Sequence, residues 1–110
     1  MANKRVNWAK LKKNIPSRVQ IASGVFYDVF YGQDLVVGKK TSCVGVTDHD
    51  KRLILLDKGI SAKETVLTYL HELTHALSFE HEIILTETQV QLIEKSLYYM
   101  LKPNNIFKGK

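Results

Sequence analysis

The chain has 110 residues, 45% hydrophobic and 25% charged, which is the composition and size of one compact globular domain. No apolar run approaches the roughly 20 residues that span a bilayer, and the opening MANKRVNWAK lacks the apolar core of a secretory signal. A single Cys43 excludes an intramolecular disulfide, so the expected setting is the reducing cytoplasm, with no membrane partner.

The net charge of +5 is unevenly placed. Residues 1–20 hold Lys4, Arg5, Lys10, Lys12, Lys13 and Arg18 and no acid, whereas the remaining 90 residues carry 10 basic and 11 acidic side chains. The expectation is a single domain over residues 1–110, with a basic segment at 1–17 and a loose tail at 104–110. A basic segment can meet nucleic acid, with Lys10, Lys12 and Lys13 as the candidate contacts. The plainer reading is a solvated, partly helical arm, since no aromatic interleaving or nucleic-acid motif accompanies the charge.

In chain order, residues 6–14 suit a short helix stopped by Pro16, with Trp8 anchoring it to the body. RVQIASGVFYDVFYG reads as extended, because Val25, Tyr27, Val29 and Tyr31 alternate with Phe26, Asp28 and Phe30. Ser23-Gly24 breaks or bulges it. QDLVVGKK gives a weaker signal. SCVGV and RLILLD are short apolar runs joined by TDHDK, a hairpin turn in which His49 reads as a solvated turn residue. Cys43 reads as a small core residue of that hairpin. These strands predict an antiparallel sheet of about three strands.

Helix signals follow. Ser61-Ala62-Lys63-Glu64 is a capping box, predicting a helix over about 62–79. Val66, Leu70, Leu73 and Leu77 form its apolar stripe, which is expected to pack on the sheet. Thr86-Glu87-Thr88-Gln89 is a second capping box, with Leu85 and Val90 placed as a hydrophobic staple. That helix carries Val90, Ile93, Leu97, Met100 and Leu101 as apolar positions, and Pro103 is expected to end it. The fold class is therefore α+β, with the sheet packed on one long helix and a second helix closing the chain. The five tyrosines read as packing residues, one of which could assist near a site.

The chemistry lies in YLHELTHALSFEHEIILTETQ, residues 69–89. His71 and His75 are four apart and share one helix face, so they can grip one metal ion. They lie about 150° around the helix from the leucine stripe. Glu72 is adjacent, placed to be a general base that takes a proton from metal-activated water. Zinc needs a third protein ligand, and spacing leaves three candidates. His81 gives HExxHxxxxxH, but Ser78 stands where that pattern has a turn-forming Gly. Glu94 lies 19 residues after His75, at the distance of a carboxylate ligand on a following helix. Glu87 sits in the first turn of the second helix, where the dipole favours a carboxylate.

From about residue 19 to 104 the chain resembles small phage-encoded zincin-like metallopeptidases, minimal relatives of the ImmA/IrrE and SprT-like HExxH proteins. VFYDVFYG, the hairpin before the helix, YLHELTHAL and LTETQVQLIEKSLYYMLKPNN carry the resemblance. It implies a zincin-like fold, a zinc cofactor and a host-cytoplasmic setting. It also implies that Glu87 is the third ligand beside His71 and His75, which leaves His81 and Glu94 as alternatives or supporting groups. The expected function is a zinc-dependent metallopeptidase acting on a peptide or protein, with Glu72 as the catalytic base. The alternative is a non-catalytic zinc-stabilised binding protein that meets nucleic acid through its basic segment.

Overall fold

The structure is a computed structural model describing residues 6–33, 35–37 and 40–104. Lys4, Arg5 and the tail over residues 105–110 lie outside the described residues. Helix α1 (Trp8–Lys13) is capped by Asn7, whose side chain accepts from the Lys10 N–H at 3.0 Å. Pro16 follows shortly, and Trp8 stacks on Tyr98 with ring centroids 6.0 Å apart, anchoring the segment as expected. Six strands follow: β1 (Arg18–Ala22), β2 (Val25–Gly32), β3 (Leu35–Val37), β4 (Lys40–Cys43), β5 (Gly45–Asp48) and β6 (Leu53–Asp57). Then come α2 (Ala62–Glu80) and α3 (Glu87–Asn104).

Ser23-Gly24 is a tight β1–β2 turn, and Gly24 takes φ 71°, which a residue without Cβ adopts freely. The TDHDK hairpin joins β5 and β6 as expected. The sheet itself differs from the expected three antiparallel strands. Four strands run in the order β1-β2-β6-β5, and the two central strands are parallel, from Asp28↔Leu53 to Gly32↔Asp57. The reason is connectivity: the chain leaves β2, makes the separate β3–β4 pair and β5, and returns on β6 beside β2. Parallel neighbours need such a crossover, and alternating apolar residues do not reveal strand direction. QDLVVGKK and SCVGV thus contribute three short strands, broken at the exposed Val44.

One face of the sheet holds the core. Ile21, Tyr27, Val29, Ile54 and Leu56 are buried against Tyr69 and Ala76 of α2, while Phe26 and Phe30 point outward. The leucine stripe of α2 meets the sheet in part: Leu70 and Leu73 pack against this core. Tyr69 and Ala76 join the core and Glu72 reaches β5, whereas Leu77 is exposed. Val66 and Leu70 also line a cavity with Leu11, Ile15 and Leu97, between α1 and α3. The sheet, α1 and α3 all pack around α2, so its apolar stripe is shared between the sheet core and the helices.

Helix α2 closes in a Schellman motif. The Ile83 N–H bonds to the Ser78 carbonyl at 2.9 Å, the Glu82 N–H to Phe79 at 3.2 Å, and Glu82 sits at φ 57°. This reversal sends α3 back along α2. Thr86 and Gln89 cap α3 reciprocally at 2.8 and 3.1 Å, and Val90 is fully buried. The helix runs through Asn104, one residue past the Pro103 expected to stop it.

Candidate metal centre

Two helices build the centre. The capping box at Ser61 and Glu64 starts α2, which stays helical through Ser78 and on to Glu80. His71 and His75 therefore lie one turn apart on the side facing α3. The Schellman reversal and the α3 cap bring Glu87 over that turn. The Nε2 atoms of His71 and His75 are 3.3 Å apart, and Glu87 Oε1 lies 3.0 Å from the first and 3.5 Å from the second. All three donor atoms fall within 4.8 Å of one another. Ligands held about 2.0–2.1 Å from a tetrahedral zinc are separated by roughly 3.3 Å, so the donor set fits one ion without rearrangement. Glu87 is the outer member, its side chain 59% exposed, which leaves the cluster open to solvent on that side.

Glu94 comes from the next turns of α3 and meets the other side of the ring. His71 Nδ1 donates to Glu94 Oε1 at 2.8 Å. An ionised carboxylate only accepts, so Nδ1 carries the proton, and in the neutral ring Nε2 is the atom left to bind a metal ion. Glu94 is thus a partner of a donor residue and not itself among the converging atoms. Burial lowers the affinity of His71 for a proton. The Glu94 hydrogen bond and the charges of Glu72, Glu94 and Glu87 outweigh that, and its pKa ends above the usual imidazole value. The cluster attracts positive charge.

The structure does not bring His81 to the cluster. Because α2 continues past Ser78 with no sharp turn, His81 becomes its C-cap, and its Nε2–H donates to the Ile21 carbonyl of β1 at 3.1 Å. Lys10, Lys12 and Lys13 occupy the last turn of α1, where cations complement the helix dipole. Glu72 is placed differently from the expected open position. It is 9% exposed and turned toward the sheet, where Thr47 Oγ1 of β5 lies 2.6 Å from its Oε1 and 3.1 Å from its carbonyl oxygen.

Sequence reasoning missed Thr47 and Gly45. A Cβ on Gly45 would lie 2.4 Å from Thr68 Cγ2 and 3.1 Å from Glu72 Cγ, so the missing side chain is what lets β5 approach α2. The available signal was their spacing: two residues apart on one strand, they face the same side. A second polar group also went unread. Tyr27, fully buried, donates to Glu80 Oε2 at 2.8 Å and accepts from His49 Nδ1 at 3.3 Å. Arg52 grips both Glu80 oxygens at 3.1 Å, and His49 stacks on Phe79 with centroids 4.2 Å apart. His49 is therefore a packed clamp residue, not a solvated one, and it ties the β5–β6 turn to the end of α2. Burial, with the Glu80 carboxylate beside it, pushes the Tyr27 phenol well up, so that hydroxyl stays protonated.

No protein-family model matches this chain, and no curated protein or solved structure shows significant similarity to it.

Proposed function

We propose that the protein is a zinc-dependent hydrolase of zincin-like build that acts on peptide bonds, with His71, His75 and Glu87 as metal ligands and Glu72 as general base. The observation that carries this reading is the convergence of three donor atoms from two helices at 3.0, 3.3 and 3.5 Å, beside a buried carboxylate one residue from the first ligand. Two imidazoles and a carboxylate are a catalytic rather than a closed structural donor set, because a fourth position stays available. A zinc ion held by these residues would supply Lewis-acid polarisation and would lower the pKa of water toward neutrality. Glu94 fixes the His71 tautomer, and Glu72 accepts the proton released from water. The peptide preference is supported by β5, which ends the four-stranded sheet alongside α2. An extended peptide can add to such an edge.

Metal content by mass spectrometry tests the ligand set, on untagged protein purified without chelator, for wild type, His75→Ala and Glu87→Ala. About one zinc per wild-type chain, lost in both variants, supports it. Zinc retained in Glu87→Ala would transfer the third-ligand role to Glu94. No zinc in wild type after reconstitution would end the metal reading. Glu72→Gln should keep zinc and lose hydrolysis of a casein-type or peptide-library substrate; undiminished turnover would remove Glu72 from the mechanism.

A further inference from the structure

Glu72 is a buried acid on the sheet-facing side of α2, and its two carboxylate oxygens have different surroundings. Oε1 accepts from Thr47 Oγ1 at 2.6 Å, a short hydrogen bond to a group that also lies 3.1 Å from the Glu72 carbonyl. Oε2 lies above Gly45, at 3.3 Å from where a Cβ would be. It makes no hydrogen bond to the described residues, yet no side-chain oxygen or nitrogen among them is both sealed from solvent and unpartnered. Among the described residues, therefore, one oxygen is committed to Thr47 and the other has no hydrogen-bond partner.

We propose that Thr47 is a positioning residue for Glu72: from edge strand β5 it holds Oε1 and leaves Oε2, over the gap at Gly45, as the proton-accepting oxygen. The inference rests on Glu72 being the base. It deepens that reading by assigning the work to one oxygen and its orientation to a strand outside the HExxH motif. A glutamate side chain has three rotatable bonds, and fixing one oxygen selects among their rotamers. Gly45 and Thr47 act together, since alternation along β5 turns both toward α2 and Val46 away. The sheet edge and the base are thereby coupled, so a peptide pairing with β5 would meet a base already oriented.

The test uses Thr47→Val, which keeps the shape and removes the hydroxyl, and Thr47→Ser, which restores it. Two readouts are taken on full-length protein loaded with Co2+ or Zn2+. The first is the visible spectrum of the Co2+ form, which reports groups near the ion without requiring turnover. The second is zinc-dependent hydrolysis of p-nitrophenyl acetate, a probe that needs no knowledge of the natural substrate. Thr47→Val is expected to alter the Co2+ spectrum with metal still bound, and to lower hydrolysis about 10-fold, short of the ~10²–10⁴-fold contribution of a whole general base. Thr47→Ser should resemble wild type in both. A wild-type spectrum and rate in Thr47→Val, with Glu72→Gln inactive, would overturn the positioning proposal and leave the base intact. Full activity in Glu72→Gln would remove the base itself, and the proposal with it. Failure of the wild type to bind Co2+ would remove both together with the metal centre.

Discussion

Replacing Gly45 by alanine tests the close approach of β5 to α2 through stability, a readout that needs no turnover. The added Cβ would sit 2.4 Å from Thr68 Cγ2, where carbon atoms prefer about 3.5–4.0 Å, so more than an ångström must open between strand and helix. Thr68 has only two favoured χ1 rotamers in a helix, and Glu72 Cγ also crowds the added Cβ at 3.1 Å, so relief by side-chain rotation is limited. Overpacking of this kind costs about 1–3 kcal/mol, and the strand preference for alanine over glycine offsets roughly 0.5–1 kcal/mol of it. A net loss of about 1–2 kcal/mol follows. With a urea slope of roughly 1–3 kcal/mol/M for a small domain, the unfolding midpoint should fall by about 1 M. Circular dichroism and Trp8 fluorescence would follow the transition. Thr68→Ser removes the obstructing methyl, so Gly45→Ala should cost much less in that background, and the difference is the coupling energy of the contact. A Gly45→Ala protein as stable as wild type, or one that Thr68→Ser does not relieve, would refute the close-approach account.

Other consequences are as concrete. Glu94→Ala should weaken zinc binding about 10–100-fold by releasing the His71 ring; chelator competition showing a change under about twofold would dismiss the tautomer-fixing role. Glu82→Gly should stabilise the fold by up to about 1 kcal/mol, because the Schellman position at φ 57° suits glycine, and a lower midpoint in urea would contradict this. Glu80 is held below the usual carboxylate range by hydrogen bonds from Arg52 and Tyr27. A depressed carboxylate contributes stability that is present above its unfolded pKa and lost as pH falls through the folded one. Stability measured from pH 7 downward should therefore drop more steeply at acid pH in wild type than in Arg52→Gln, and parallel curves would show the clamp to be inert.

Local signals in the sequence were reliable where the physics is local. Both capping boxes form, the TDHDK hairpin forms, and the Ser23-Gly24 turn separates β1 from β2. His71 and His75 share a helix face because helix geometry requires it. Strand direction was not legible, since Val29 packs the same way whether Ile54 runs beside it parallel or antiparallel. The leucine stripe did point to the sheet, where Leu70 and Leu73 pack, but not to the helices that share it. The choice among His81, Glu87 and Glu94 depended on where α2 stops. Continued helix through Ser78 moved His81 to β1, and the Schellman reversal at Glu82 placed Glu87 at the donor cluster and Glu94 behind His71. Thr47 and Gly45 escaped notice because a threonine and a glycine in a short strand acquire meaning only from what lies above them.

The crossover between β2 and β6 also orders the chain in time. Every group placed at the centre, from Gly45 to Glu94, lies in one uninterrupted stretch, while α1, β1 and β2 precede it. As the chain emerges during synthesis, β2 has only β1 to pair with, and its inner neighbour β6 begins at Leu53. The donor cluster cannot close until α3 has followed α2 and folded back. The scaffold is made first and the chemistry last. A chain cut between the two helices would keep HELTH in place and lose Glu87 and Glu94 together.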